Sequence, residues 1–334
     1  MESEKYLLMK KDKILVTGGA GFIGSNFIQY FLESNPNVQI VNIDSLTYAG
    51  TMENCKEFEA ASNYSFIKGD IRDKNFIEDL FKRENFTGVI HFAAESHVDN
   101  SIDSPGIFIE TNVMGTFNLL EATRKYQLEI RFHHISTDEV YGSLGKTGLF
   151  TETTPYAPNS PYSASKASSD FLVRSYHHTY GLDTVITNCS NNYGPKQHDE
   201  KLIPVIIRKA LAGEPIPIYG DGSNVRDWLY VQDHCKAIEK VFFKGKSGET
   251  YNIGGDNEYA NMDIAKMICE LLDNRKLLSK GSYKNQISFV TDRLGHDYRY
   301  AIDSTKIKNE LDWKPEETFK SGLEKTVNWY LKKY

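Results

Sequence analysis

Glycines at 18, 21 and 24 follow directly on Lys13-Ile14-Leu15-Val16-Thr17 and open the stretch from Phe22 to Ser34. The first five residues have a buried strand's composition, and Phe27, Ile28, Phe31 and Leu32 recur at helical spacing. No other feature constrains the chain as much as this strand that turns on glycine into a helix. Gly18 allows the sharp turn, Gly21 lets the backbone approach a pyrophosphate, and Gly24 lets helix and strand pack closely. The pyrophosphate then meets a helix N-terminus, where unpaired N–H groups point outward. Asp44 comes 20 residues after Gly24, at the end of a second strand over Val38 to Ile43. There a carboxylate accepts the adenosine ribose hydroxyls and repels a 2′-phosphate, which reads as NAD rather than NADP. Asp70-Ile71, after a third strand over Tyr64 to Ile67, is placed to pair with the adenine amino group and pack on its ring.

The alternation continues. Val89 to Phe92 is a fourth strand, and Asp103-Ser104-Pro105 starts a helix that runs to about Tyr126. Ile130 to Ser136 is a fifth strand, Asn159-Ser160-Pro161 opens a helix closed by Gly181, and Asp183 to Thr187 is a sixth strand. Strands feeding helices feeding strands give right-handed crossovers and a parallel sheet covered on both faces. After about Asn191 prolines 195, 204, 215 and 217 and Gly220-Asp221-Gly222 break the rhythm, leaving helical stretches at Asn261 to Asp273 and Lys320 to Lys332. The expected class is α/β: a doubly wound parallel Rossmann sheet with a smaller mixed α/β C-terminal substrate lobe. The expected division is 1–190 for NAD and 191–334 mainly for substrate, with some segments of the latter returning to the first domain. A chain of 334 residues suits two domains at ~150 residues each.

Charge and cysteine content exclude other classes. With 39 Lys plus Arg against 45 Asp plus Glu, the net charge of −6 does not suit non-specific nucleic-acid binding. Cys55, Cys189, Cys235 and Cys269 lie far apart with no CxxC pair, so neither a metal site nor a disulfide scaffold is expected. Such thiols suit a reducing cytosol. No apolar run approaches the ~20 residues of a membrane span, and the expectation is a soluble cytoplasmic enzyme.

Tyr162-Ser163-Ala164-Ser165-Lys166 places Tyr162 and Lys166 four apart on one helix face. A phenol is a poor base at neutral pH; an adjacent ammonium and a positive nicotinamide favour the phenolate, so the phenol's pKa is expected to fall. Thr137, 25 residues before Tyr162, can bond the same substrate hydroxyl. Asp138 and Glu139 would point to opposite faces of a regular strand, so both serve one ligand only if the chain turns there. Val140-Tyr141-Gly142-Ser143 is consistent with a turn, and neighbouring carboxylates split into one acid and one base.

At this point the chain resembles the extended short-chain dehydrogenases/reductases, and Ser136-Thr137-Asp138-Glu139-Val140-Tyr141-Gly142 resembles their nucleotide-sugar 4,6-dehydratase branch. The likeness runs from Lys13 to about Tyr330. It is carried also by Asp44-Ser45-Leu46-Thr47-Tyr48-Ala49-Gly50, Ala93-Ala94-Glu95-Ser96-His97-Val98-Asp99, Asn191-Asn192-Tyr193-Gly194-Pro195 and Arg226-Asp227-Trp228-Leu229-Tyr230. The resemblance implies NAD contacts from Phe22, Ile23, Asp44, Ser45, Leu46, Thr47, Asp70 and Ile71. It adds Phe92, Ala93, Ala94, Glu95, Ser96, Thr111, Tyr162, Lys166 and Asn192. For the sugar it implies Ser96, Thr137 and Asn191; for the base, Pro217, Ile218, Tyr219 and Asn261. For the remainder of the nucleotide it implies Lys201, Leu202, Arg293 and His296, with Arg226 at the diphosphate. Leu294 departs from the pattern, which has proline there.

The implied reaction is redox-neutral. Tyr162 takes the C4 hydroxyl proton as hydride leaves C4, Glu139 takes the C5 proton, protonated Asp138 donates to the departing C6 hydroxyl, and hydride returns to C6. Thymidine is the base the resemblance favours, with cytidine and uridine sugars open. A 4-epimerase needs the same Tyr–Lys pair but no acid–base pair for elimination. The resemblance also implies a homodimer, through helices ending near Tyr126 and Tyr180.

Overall fold

The computed structural model describes residues 12–276, 281–292 and 295–334. In chain order the strands are β1 (Lys13–Thr17), β2 (Gln39–Asp44), β3 (Tyr64–Lys68), β4 (Gly88–His91), β5 (Arg131–Thr137) and β6 (Thr184–Cys189). They continue as β7 (Asn191–Tyr193), β8 (Ile216–Tyr219), β9 (Val225–Tyr230), β10 (Thr250–Ile253), β11 (Glu258–Ala260) and β12 (Ile287–Val290). The first six and β10 make one parallel sheet, in the order β10-β6-β5-β4-β1-β2-β3. The chain winds outward from β1 in one direction and from β4 in the other. The crevice between β1 and β4 is the topological switch point where such sheets take ligands.

Side-chain alternation along β1 shows why both faces must be apolar. Ile14 and Val16 join Phe27, Phe31 and Ile238 on one face, while Leu15 joins Ile77, Leu119 and Val173 on the other. Burying Leu15 completely contributes about 1.5–3 kcal/mol. The helix Pro161–Tyr180 begins on a reciprocal cap between Ser160 and Ser163 and ends at Gly181, as the sequence predicts. The smaller lobe holds the three-stranded sheet β11-β9-β7 and the pair β12-β8. Around them lies a separate core that includes Tyr193, Ile207, Trp228, Phe319 and Tyr330.

Two departures from the sequence expectation matter for the site. The helix from Pro105 to Tyr126 is not regular: a wide π turn occupies Ile109–Gly115, preceded by a short helix Val98–Asp103. Within the π turn, Asn112 bonds both polar atoms of the Glu95 backbone at 2.8 and 3.0 Å and Ser165 Oγ at 2.8 Å. Its carbonyl accepts from the Thr116 and Ser169 hydroxyls. Such turns recur at functional sites, and this one ties the loop after β4 to the helix carrying Tyr162. The second departure is that the main sheet has a seventh strand, β10, which pairs with β6 and comes from one of the C-terminal segments expected to return to the first domain. Among the described residues no helix is long and apolar enough to cross a membrane.

Candidate active site

A cavity of about 490 Å³ opens at the switch point, lined from the ends of β1 through β6. Its floor is the turn after β1. Gly18 sits at φ 73°, and a Cβ there would lie 2.6 Å from the Ala93 nitrogen; one on Gly24 would lie 2.4 Å from the Gly18 carbonyl oxygen. A side chain on Gly18 would collide with the loop after β4, and one on Gly24 would push the helix Phe22–Ser34 off the turn. Asp44 is nearly buried, and its carboxylate accepts from Ala20 N at 3.0 Å and Leu46 N at 2.8 Å. Burial pushes its pKa up and those two bonds oppose it. The loop thus fixes the carboxylate before any ligand arrives. Ser45 and Thr47 face the cavity, whereas Leu46, at φ 55°, packs into the core beneath. Leu46 therefore departs from the expected cofactor set.

Asp70 and Ile71 line the adjoining wall, but Asp70 is held by the Arg72 guanidinium at 2.6 Å, which keeps its pKa below the ordinary value. Arg72 lines the cavity too and was not foreseen, although it directly follows the Asp70-Ile71 pair. Phe92, Ala93, Ala94, Glu95, Ser96 and Thr111 complete this half.

The opposite wall carries the reactive groups. The chain leaves β5 in a tight turn over Asp138–Tyr141, capped by Thr137 Oγ1 accepting from Glu139 N at 3.3 Å. The turn delivers Thr137, Asp138 and Glu139 to the same cavity as Tyr162 and Lys166. Asp138 is 1% exposed and its Oδ2 has no hydrogen-bond partner. Burial, then the charges of Glu139 and Asp227, raise its pKa well above the ordinary carboxyl value against the opposing charge of Arg226, and so favour the protonated acid.

The protein's own groups shift the Tyr162 phenol upward, so the expected fall depends on the positive nicotinamide as well as the ammonium. Burial raises the phenol well above its ordinary value; Glu139 pushes it further up, and the Thr137 hydroxyl partly opposes this by hydrogen bonding. The Lys166 ammonium does not offset that rise, because Nζ is bound to the Ile135 carbonyl at 2.8 Å and faces His134 Nε2 at 3.3 Å.

A third wall comes from the segment after β6. Cys189, Ser190, Asn191, Asn192, Gln197, His198, Glu200 and Lys201 line it. Lys196 pins this segment to the first domain through Gln29, Asn54 and Glu57, at 2.8 to 3.1 Å. Lys201 Nζ donates to the Ser96 carbonyl at 3.0 Å, closing the wall against the loop after β4. Apart from Asn191, Asn192 and Lys201, these contributors carried no sequence signal beyond polarity.

The remaining substrate residues are not brought to this cavity. Ile218 and Leu202 pack in the lobe core, and Pro217, Tyr219 and Asn261 lie beside them outside the lining. His296 is held by Asp292 at 2.7 Å. Arg226, expected at a diphosphate, is buried in β9 and donates to the carbonyls of Val225, Asp297 and Tyr298. Its guanidinium stacks on Tyr300 at 4.3 Å. A buried guanidinium must spend its donors on protein oxygens, and from that place beside the cavity its charge acts on Asp138 and Glu139. Arg293 and Leu294 lie outside the described residues.

The donor set fits a dinucleotide: a glycine cradle at a helix N-terminus, a fixed carboxylate after β2 and an apolar slot between Ile71 and Phe92. The model of the family described as GDP-mannose 4,6 dehydratase matches residues 15–326. The chain is 56% identical to dTDP-glucose 4,6-dehydratase of Xanthomonas campestris pv. campestris (strain B100), covering 95% of this chain and 92% of that protein. Its fold is similar to the crystal structure of dTDP-glucose 4,6-dehydratase from Bacillus anthracis str. Ames in complex with NAD. That match has TM-score 0.87 and 51% identity, covering 96% of this chain and 97% of that one. DesIV, a dTDP-glucose 4,6-dehydratase from Streptomyces venezuelae with NAD and TYD bound, is similar at TM-score 0.90 and 45% identity. Here too the coverage is 96% and 97%.

Proposed function

This chain belongs to the GDP-mannose 4,6 dehydratase family, and on that premise we propose that it removes water from dTDP-glucose, giving dTDP-4-keto-6-deoxyglucose, with NAD as resident cofactor. One observation carries the reading: Asp138, buried with its pKa pushed upward, and a second carboxylate, Glu139, share one cavity with Tyr162. Dehydrogenation or epimerisation alone would use no such pair.

NAD, when bound, supplies reversible acceptance of hydride. Gly18, Gly21, Phe22, Ile23 and Gly24 would hold its pyrophosphate, Asp44 the adenosine ribose, and Asp70 with Ile71 the adenine. The chain's own residues move the protons. Tyr162 accepts the C4 hydroxyl proton while Thr137 orients that hydroxyl. The resulting ketone acidifies C5, whose proton Glu139 removes. Asp138 gives its proton to the leaving C6 hydroxyl, and a proton returns to C5 as the hydride goes back to C6, completing the 6-deoxy product. Ser96, Asn191 and Lys201 hold the sugar and its phosphates from the lobe side, and we assign the base to the β8 region.

Residues 1–190 form the cofactor domain in this reading, joined by β10 from the C-terminal half, and 191–334 mainly the substrate lobe. Exposed Tyr126, Phe171 and Tyr180 on two outer helices support a homodimer through that face. The buried, unpaired state of all four cysteines is in keeping with a cytoplasmic setting.

Two expected results test this reading. Deuterium placed at C4 of the sugar reappears at C6 of the same product molecule, and reaction in D₂O places deuterium at C5. Label retained at C4 would identify an epimerase, and exchange of label between substrate molecules would exclude an enclosed single-turnover site. Asp44→Asn weakens NAD binding by about 1.5–3 kcal/mol, since one acceptor of a charged pair of hydrogen bonds to the ribose is lost. Unchanged affinity by equilibrium dialysis in the folded variant would remove Asp44 from the ribose site.

A further inference from the structure

Lys166 is 4% exposed, and the atoms that meet its Nζ, the Ile135 carbonyl and His134 Nε2, carry no negative charge. Burial lowers its pKa to about 8, close to losing its proton under working conditions. The compensating anion stands one helical turn further on, in the same i, i+4 stripe that carries Tyr162 and Lys166. Asp170 is 2% exposed, and its Oδ1 lies 3.3 Å from the same His134 Nε2. Its Oδ2 accepts from the Ser136 hydroxyl at 2.9 Å and the Tyr156 hydroxyl at 3.0 Å. Tyr156 in turn accepts from Asn188 Nδ2 at 3.1 Å. Two hydroxyl donors aimed at one oxygen favour a carboxylate over a neutral amide.

Burial biases the other titratable groups around this pocket toward their neutral forms. His91 on β4 stacks at 5.2 Å from His134, with its two ring nitrogens taken by the Thr17 and Thr116 hydroxyls. Burial holds His91, His133 and His134 well below the ordinary histidine value. It pushes the Cys189 thiol on β6 and the Tyr141 and Tyr156 phenols upward. Asp138 and Glu139 face Tyr162 from the other side, whereas the carboxylate acting on Lys166 is Asp170.

We propose that Asp170, by its charge acting across the His134 ring, is a positioning residue that keeps Lys166 charged and so keeps the Tyr162–Lys166 pair ready for its task. This rests on the roles given to Tyr162 and Lys166 above. Asp170 touches neither substrate nor cofactor; it acts by supplying the countercharge behind the catalytic helix.

The test reads the lysine directly. In the full chain with ¹⁵N-labelled lysine, the Lys166 Nζ resonance is identified by its loss in Lys166→Met. In the parent it titrates near pH 8, with a second, smaller inflection near pH 6 where Asp170 takes up a proton. Asp170→Asn moves the main midpoint down by about one pH unit or more. The fall of kcat at high pH moves with it, while KM for the sugar is unchanged. Asp170→Glu returns both toward the parent. An unmoved midpoint in folded Asp170→Asn overturns the proposal, as does a Glu variant that titrates like the Asn variant. Absence of the inflection near pH 6 in the parent overturns it too, and that measurement needs no variant to fold. The resonance is read without substrate, so an error in the assigned reaction would leave this outcome untouched.

Discussion

Tyr162→Phe slows oxidation at the sugar C4 by ~10²–10⁴-fold, with little change in NAD affinity or melting temperature. The phenol lies half-buried in the cavity wall with Asp138 and Glu139 beside it, so its proton is held tightly until positive charge enters the site. Replacing it by phenylalanine keeps the ring that packs edge-on against Phe108 at 6.3 Å and removes only the proton acceptor. Rapid mixing with dTDP-glucose, followed by the absorbance of reduced cofactor, separates this step from later ones. A variant that reduces the cofactor as fast as the parent would require a different base. The sign of the phenol's shift also makes a second outcome specific: in the protein stripped of cofactor, Tyr162 should show no phenolate absorbance near pH 10, where an ordinary phenol is half ionised.

Asp138→Asn and Glu139→Gln leave that first step largely intact and slow loss of water by ~10²–10⁴-fold, so the 4-keto hexose accumulates on the protein. Glu139→Gln in addition stops exchange of the C5 hydrogen with solvent; exchange at the parental rate would reassign the base. Asp138 offers an independent check through stability. Its folded pKa lies above the unfolded value, so the native state binds more protons and stability falls as pH rises through that interval. Asparagine has no charge to bury, so the variant melts at the same temperature as the parent at low pH and higher at pH 7. A variant that is less active yet more stable at neutral pH is the signature of a group kept for chemistry. Equal destabilisation at both pH values would make Asp138 a packing residue instead.

Much of this site is local along the chain, and there the sequence was sufficient. The spacing of Gly18, Gly21 and Gly24 after an apolar strand gave the turn and its cradle, because Gly21 and Gly24 must clear the Gly18 carbonyl within seven residues, although Ala93 adds a distant demand on Gly18 itself. Tyr162 and Lys166 share a face by helical period alone, with the cap at Ser160 and the stop at Gly181 visible as residue types. The turn bringing Asp138 and Glu139 together follows from a short stretch around Gly142.

What only the tertiary structure decided involves partners far apart in the chain with no shared period. β10 is four residues, too short for alternation to show, and its place beside β6 depends on buried apolar surface left open by the other strands. The π turn at Ile109–Gly115 answers to Asn112 bonding Glu95 and Ser165, 17 and 53 residues away. Arg226 carries a positive charge in the sequence wherever it points; burial decided that its donors go to backbone carbonyls and a tyrosine face. The upward push that the protein's own groups give Tyr162 was lost to the sequence for the same reason. Residue spacing tells which groups can meet, but the desolvation that outweighs the lysine's charge exists only once the chain has closed over them.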